Sequence, residues 1–104
     1  MTNESLALAA LADPTRRAIW ERLAAGESAV ADLARALPVS QPAVSQHLKV
    51  LREAGLVAVE ARGARNVYRI DPAGLGPLRA WLDRFWDDQL AAFREAAEHG
   101  ETDR

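Results

Sequence analysis

The sequence predicts a mainly helical fold with one small β-hairpin, of the α+β class. Apolar residues at spacings of three and four recur along most of the chain and indicate helices. Two β-rich runs, residues 56–61 and 66–71, are separated by four residues that include a glycine, which favours a hairpin. At 104 residues the chain has the length of one small domain, so we expect a single domain over residues 1–104.

An Asp-Pro pair near the N-terminus predicts the start of an early helix. Asp13 can cap this helix by accepting a hydrogen bond from a backbone N–H, and Pro14 fits its first position. Helical spacing then places Ile19 and Leu23 on the inward face.

Residues 30–54 predict two helices joined by a tight turn. Apolar residues at helical spacing between 30 and 37 indicate a short first helix, and the proline in LPVS, residues 37–40, ends it. In the second helix Ser40 can cap the start, Pro42 is tolerated in the first turn and Gly55 supplies the stop. Val44, Leu48 and Leu51 form its apolar stripe. This arrangement is a helix-turn-helix.

The opposite face of the second helix is polar and fits the major groove of DNA. Gln46 is the best candidate to recognise a base, because its amide can pair with two groups of adenine. Lys49 suits a phosphate, although an ion pair with Glu53 one turn later is the alternative. His47 lies closer to the packing side, so a role in helix or dimer packing and a DNA contact both stay open.

The predicted hairpin, residues 56–71, carries a basic loop formed by Arg62, Gly63, Ala64 and Arg65. Such a loop can lie against phosphates or enter the minor groove, and solubility is the alternative role of its arginines. With the hairpin as a wing, the predicted fold is a winged helix-turn-helix. The residues predicted to contact DNA are Ser40, Gln41, Pro42, Ser45, Gln46, His47, Lys49, Arg62 and Arg65.

The net charge of −2 is unevenly distributed. Residues 40–71 carry five basic and three acidic residues, whereas residues 72–104 carry four basic and seven acidic residues. Because DNA binding depends on local neutralisation of phosphates, an acidic protein with a basic side remains compatible with DNA.

Three segments together resemble the ArsR/SmtB-type family of bacterial transcriptional repressors. They are LADPTRRAIWERLAAGE (residues 11–27), SQPAVSQHLKVLREAGLV (residues 40–57) and RGARNVYRI, and the resemblance runs over about residues 5–71. It implies a homodimeric winged-helix repressor that binds an inverted-repeat operator in double-stranded DNA. The segment AWLDRFWDDQLAAFREAAE resembles a metal-independent branch of the family.

The last predicted helix, residues 77–99, has a broad apolar stripe that needs a packing partner. We expect a homodimer interface built from the first and last helices. Its predicted residues are Leu8, Leu11, Leu78, Trp81, Leu82, Phe85, Trp86, Leu90 and Phe93. The alternative is an apolar effector pocket between Trp81, Phe85 and Trp86 of two subunits, although the sequence names no effector.

Several classes of function are disfavoured. The chain has no cysteine, residues 27–37 offer only Glu27 and Asp32, and the last helix has His99 without a second histidine, so we expect no metal site and no cofactor. No Ser/His/acid set or phosphate-binding glycine loop is present, which argues against an enzyme and leaves no catalytic residue to assign. No apolar stretch reaches about 20 residues and no signal segment is recognised, so we expect a cytoplasmic protein that does not bind membranes. A protein-binding adaptor with the same fold is the remaining alternative.

Overall fold

A computed structural model describes residues 2–100 as five helices and a three-stranded antiparallel sheet of order β1-β3-β2. The elements are α1 (Asn3–Ala12), α2 (Pro14–Ala24), β1 (Ser28–Ala29), α3 (Val30–Ala36), α4 (Gln41–Glu53), β2 (Val57–Arg62), β3 (Arg65–Ile70) and α5 (Pro72–Gly100). The predicted fold class is confirmed: α3 and α4 form the helix-turn-helix, and β2 and β3 form the wing.

The predicted helix caps are present. Asp13 accepts a hydrogen bond from the backbone N–H of Arg16 at 2.9 Å, and this bond holds the pKa of Asp13 below its ordinary value. Ser40 accepts a hydrogen bond from the backbone N–H of Ala43 at 3.3 Å. Gly55, with a φ of +77°, follows the end of α4 in the left-handed conformation that glycine adopts without strain.

Two arginines of α2 close the C-terminal end of α1. Arg16 donates from Nε to the carbonyl of Ala10 at 2.7 Å, and Arg17 donates to the carbonyl of Leu11 at 3.2 Å. The last carbonyls of a helix lack partners within the helix, and they carry a partial negative charge. The positively charged side chains satisfy both requirements and fix the angle between α1 and α2.

The core is built where α2, α3, α4 and the start of the hairpin meet. The apolar stripe predicted for α4 is confirmed, because Val44, Leu48 and Leu51 are all 0% exposed. The largest fully buried side chains are Ile19, Leu33, Val44, Leu48, Leu51 and Leu56. Trp20 adds a polar link, since its indole N–H donates to the carbonyl of Leu56 at 3.3 Å. The α4 backbone is therefore held on its apolar side by closely packed side chains.

The hairpin differs from the prediction at its tip. Arg62 and Arg65 are paired residues at the ends of β2 and β3, and only Gly63 and Ala64 form the turn. A glycine with a φ of +61° at the first central position fits a type II′ turn, whose twist suits a two-residue hairpin loop. The short strand β1, which the sequence did not predict, pairs with β3 and ties the wing to the loop before α3.

The last helix begins five residues earlier than predicted, at Pro72 rather than Pro77. Asp71 accepts a hydrogen bond from the backbone N–H of Ala73 at 3.0 Å, so this Asp-Pro pair starts α5 as the earlier pair starts α2. Pro77 consequently lies inside the helix, in the second turn. The first turn of α5 crosses the end of α4 so closely that a Cβ at Gly74 would lie 1.4 Å from the carbonyl oxygen of Gly55.

Two residues predicted for the subunit interface also pack within their own chain. Leu78 is only 8% exposed and belongs to the core of its own chain. Leu11 is half-buried and packs against that core. Both side chains pack within their own chain, and their place in a subunit interface stays a prediction.

Candidate nucleic-acid interface

The exposed face of α4 carries most of the residues predicted to contact DNA. Gln41, Pro42, Ser45, Gln46 and Lys49 are all exposed. At about 100° per residue they cover an arc of about 140° on the helix surface. The centre of this arc lies about 120° from the centre of the buried stripe of α4, so packing of the core leaves these side chains in solvent.

A groove of about 330 Å³ runs between α4 and the wing. It is lined by Ser45, Lys49, Arg52, Glu53 and Tyr68. Tyr68 is half-buried and packs against the core, so one side of the groove has a fixed position relative to α4. The groove places two positive charges, on Lys49 and Arg52, beside the polar face of the helix.

Arg52 is a candidate DNA contact that the sequence prediction did not include. It follows Ser45 and Lys49 at spacings of seven and three residues, which places the three side chains on one face of α4. This spacing could have identified it. The alternative for Lys49, an ion pair with Glu53, is not formed, and within residues 2–100 neither Lys49 nor Arg52 has an ion-pair partner. Both cations are therefore available to a phosphate.

His47 is separated from this face. It is half-buried and lies about 100° beyond the Gln46 edge of the exposed arc. The pKa of Asp13 is lowered mainly by the backbone N–H of Arg16, and His47 makes a smaller electrostatic contribution to the same shift. The structure thus places His47 towards the cap of α2, which supports the packing role among the two alternatives.

The two wing arginines occupy the other face of the hairpin. Side chains alternate between the two faces of a strand, so Arg62 and Arg65 point away from the face that carries Tyr68. Arg62 donates to Glu60 at 2.8 Å and makes two hydrogen bonds to Glu27, at 2.5 and 3.1 Å. Arg65 donates to Asp32 at 2.6 Å.

These ion pairs change the electrostatics of the wing. The hydrogen bonds from Arg62 lower the pKa of the Glu27 carboxyl, and the same bonds raise the pKa of Arg62. Glu27 and Asp32 lie 35 and 33 residues away from their arginine partners in the sequence. Both arginines of the predicted basic loop therefore have carboxylate partners in the folded chain, and Arg65 shares its partner Asp32 with Arg35.

The part of the chain that the structure describes contains neither a group of metal ligands nor a helix able to span a membrane. Residues 2–100 contain no group of three or more His, Cys, Asp or Glu side chains placed to hold a metal ion. Within the same residues, no helix combines the length and the apolar character that crossing a membrane requires.

Comparisons with known proteins agree with this geometry. The family profile described as bacterial regulatory protein, arsR family, matches residues 13–59. The HTH-type transcriptional regulator Rv2034 of Mycobacterium tuberculosis is 60% identical over 86 residues, which are 83% of this chain and 80% of that protein. The chain spans less of the SmtB repressor of the same species, which is 48% identical but matched over 47% of its length.

Solved structures show the same architecture. An ArsR-like transcriptional regulator from Rhodococcus sp. RHA1 is 35% identical, with a TM-score of 0.76 over 91% of this chain and 92% of that one. A homodimeric winged helix-turn-helix DNA-binding domain from Mycobacterium bovis is 32% identical, with a TM-score of 0.67 over 85% and 82% of the two chains. Sequence identity, fold and the exposed face of α4 thus lead to one conclusion: the chain belongs to the ArsR family of bacterial regulatory proteins and is a transcriptional regulator with a DNA-binding winged helix-turn-helix.

Proposed function

We propose that the protein is a cytoplasmic, homodimeric repressor that binds an inverted-repeat operator, with α4 of each subunit in the major groove. The observation that carries this proposal is the division of α4 into a fully buried apolar stripe and an exposed polar arc beside a basic groove. A helix held in this way can enter the major groove of DNA without disturbing the core of the protein. The relatives named as repressors support repression. This surface favours DNA as the partner over the protein-binding adaptor that the sequence left open.

The side chains of α4 fall into two proposed roles. Gln46 projects from the exposed arc with an amide that can both donate to and accept from an adenine edge. Lys49 and Arg52 line the groove between α4 and the wing, have no ion-pair partner within residues 2–100, and would hold phosphates. The residues at the start of α4, Ser40, Gln41 and Pro42, would approach the DNA backbone, since the N-terminal end of a helix favours negative charge.

The exposed apolar face of α5 supports the homodimer. Large apolar side chains stay in solvent along this face, which is unusual for a monomeric protein. Their exposed fractions are 46% for Leu82, 46% for Phe85, 63% for Trp86, 50% for Leu90 and 73% for Phe93. On α1, Leu8 is 41% exposed. A second copy of α5 would cover this face, as expected from the homodimeric relative.

Regulation without a metal is part of the proposal. The described chain contains no thiolate and no group of ligands suited to zinc, which prefers nitrogen and sulfur donors. One observation favours an apolar effector as a second candidate. Leu82, Asp83, Phe85 and Trp86 line a shallow recess of about 290 Å³ on the proposed dimer face, where a partner subunit could complete a pocket.

Selection of bound sequences from random duplex DNA would test the proposed function. We expect enrichment of an inverted repeat whose half-sites are about one helical turn apart, because a two-fold dimer presents two copies of α4. The selected duplex should then bind the protein at least about a thousandfold more tightly than a scrambled one at the same salt concentration. Failure to enrich any sequence, with folded protein, would contradict sequence-specific binding.

A further inference from the structure

The arginines of the wing are engaged by carboxylates from three parts of the chain. All three guanidinium nitrogens of Arg62 donate to Glu60 or Glu27. Arg65 uses only one nitrogen, in its bond to Asp32, and within residues 2–100 it has no other partner. A phosphate that approaches Arg62 therefore has to compete with a carboxylate at each of its three nitrogens, whereas Arg65 keeps two nitrogens without a carboxylate partner among the described residues.

The position of the carboxylates follows from the fold. Glu27 comes directly before β1, and Asp32 lies in the first turn of α3. Pairing of β1 with β3 brings this loop beside the hairpin, so that Arg62 reaches from β2 to Glu27. Since Arg62 and Arg65 are opposite each other in the hairpin, their mutual repulsion also favours the two carboxylates as partners.

The ion pairs are exposed and can exchange with an outside anion. The side chains of Arg62 and Glu27 are 49% and 43% exposed, and those of Arg65 and Asp32 are 61% and 40% exposed. Exposed ion pairs contribute little free energy. A phosphate that is held close to the wing could therefore replace Glu27 as the partner of Arg62. A phosphate that reaches the wing by diffusion has to compete for Arg62 with a carboxylate that is always present.

We propose that Glu27 and Asp32 are specificity-determining residues, which keep the wing arginines from non-operator DNA. A non-specific complex is held by phosphate contacts alone, so its affinity falls most when an arginine is already paired with a carboxylate. In an operator complex the base contacts of α4 hold the wing beside the backbone, and the exchange takes place within the complex. The carboxylates thus lower the affinity for random DNA more than the affinity for the operator.

This inference rests on the DNA binding proposed above, and Glu27→Gln tests it. The variant removes the charge while keeping the size of the side chain. Affinity for a scrambled duplex should rise about two- to fivefold per wing, the range that an exposed ion pair allows. The slope of log affinity against log salt should steepen by about one per freed arginine. Affinity for the selected operator should rise less, so that the ratio of the two affinities falls.

Two further variants separate this mechanism from a general change of charge. Glu95→Gln, at an exposed position on α5, removes the same charge away from the wing and should leave the ratio of affinities unchanged. Glu27→Gln should also have no effect in an Arg62→Ala background, because the carboxylate acts through that arginine. Asp32→Asn is a less selective test, because Asp32 pairs with Arg35 as well as with Arg65 and the variant would release both arginines.

The outcomes distinguish the inference from the function on which it rests. Weaker binding of Glu27→Gln to both duplexes would overturn the inference, because it would show that Glu27 positions the wing for DNA. An unchanged ratio of affinities, or an equal effect in the Arg62→Ala background, would overturn it as well. A wild-type protein that binds neither duplex would contradict the proposed function itself. Circular dichroism of each variant would confirm that the comparison is made on folded protein.

Discussion

At the scale of single residues, the exposed arc of α4 combines two chemically different kinds of group. Gln46 has a donor and an acceptor in one plane, which can distinguish one base pair from another. Lys49 has only donors on a flexible chain and suits any phosphate. The two side chains are three residues apart on the same helix, so their substitution separates specificity from affinity.

The first prediction concerns Gln46→Ala. We expect it to weaken binding to the selected operator by about 1 to 3 kcal/mol and to relax the preference at one position of each half-site. Binding to a scrambled duplex should change little, because phosphates hold that complex. Repeating the selection with the variant, and measuring both affinities, would check this. An unaltered selected sequence would show that another residue reads the base.

Lys49→Ala provides the matched comparison. We expect it to weaken binding to the operator and binding to the scrambled duplex by similar factors. The salt dependence of log affinity should fall by about one unit for each phosphate that the protein no longer neutralises, which is about two for a symmetric dimer. A change in the selected sequence would contradict a purely phosphate-binding role for Lys49.

The second prediction concerns the crossing of α5 over the end of α4. In Gly74→Ala the new Cβ would lie 1.4 Å from the carbonyl oxygen of Gly55, and backbone atoms cannot move aside as a flexible side chain does. We expect a loss of about 2 kcal/mol or more in the free energy of unfolding, as for other overpacked sites. Urea denaturation would measure it.

Gly76→Ala is the control for this crossing. A Cβ at Gly76 has no atom within 4 Å outside its neighbours, so the substitution tests helix propensity without a clash. The gain expected for alanine in a helix is offset by the following Pro77, which disfavours a larger residue before it. We expect a change below about 1 kcal/mol. Equal effects of the two substitutions would contradict the close crossing.

At the scale of elements, capping residues in the sequence predict where helices begin. Asp13-Pro14 and Ser40 were identified as caps, and both accept the expected backbone hydrogen bonds. Asp71-Pro72 carries the same signal, but Pro77 also fits the first position of a helix, and the sequence prediction begins α5 there. The early turn of α5 could therefore have been predicted from the sequence, and with it the burial of Leu78.

Other features depend on residues that are distant in the sequence. The two-residue strand β1 has no pattern of its own and exists because the edge of β3 is available to pair with it. The same pairing brings Glu27 to Arg62, so a charge count by segment overestimated the basic character of the wing. The polar arc of α4 could be predicted because helical periodicity alone decides it.

The third prediction concerns the acid sensitivity of the cap of α2. The folded pKa of Asp13 is lowered, chiefly because its carboxylate accepts the N–H of Arg16. The stabilisation of the folded state by the Asp13 carboxylate is therefore complete above the ordinary pKa of an aspartate, near 4. It is lost as the pH falls through the lower pKa of Asp13 in the folded protein. Asp13→Asn keeps a good cap but cannot titrate.

Thermal unfolding of the two proteins across pH would check this expectation. The wild type and Asp13→Asn should differ little in melting temperature at pH 7, since both side chains accept a hydrogen bond at the cap. Between about pH 5 and pH 2 the wild type should lose more stability than the variant. A variant that loses as much stability as the wild type over this range would show that the Asp13 carboxylate does not contribute through its charge.

At the scale of the whole molecule, the chain extends 67 Å along its longest axis and 26 and 24 Å along the others. The elongation comes from α5, whose 29 residues span about 43 Å. Its first turns pack on α1 and on the end of α4, while the later turns expose their apolar face. A helix in this position can join two subunits, and its first turn also lies against the end of α4.

The fourth prediction concerns metals. Zinc, cadmium and arsenite should leave operator binding unchanged at stoichiometric concentrations, because the chain has no cysteine and the described residues form no ligand group. Fluorescence anisotropy of a labelled operator would measure this, with a chelator present in a parallel titration. Release of the operator by one equivalent of any of these ions would contradict regulation without a metal.

The fifth prediction joins the dimer to DNA binding. Trp86→Glu places a charge in the proposed interface, where it would lose its hydration, so we expect a monomer in sedimentation at micromolar concentration. Ala80→Glu is the matched control, because it adds the same charge at an exposed position on the opposite side of α5 and should remain dimeric.

The monomer should also bind the operator less well, although Trp86 lies on α5 and outside the predicted DNA contacts. When one subunit of a dimer binds its half-site, the second subunit is held at a high effective concentration near the other half-site. Without this linkage, operator binding should weaken by about a hundredfold or more. A duplex with one half-site provides the test within the same experiment. Wild-type protein should prefer the full operator strongly, whereas Trp86→Glu should bind the full operator and the single half-site almost equally. A monomeric variant that kept the full preference would show that the inverted repeat is not recognised by two subunits joined through α5.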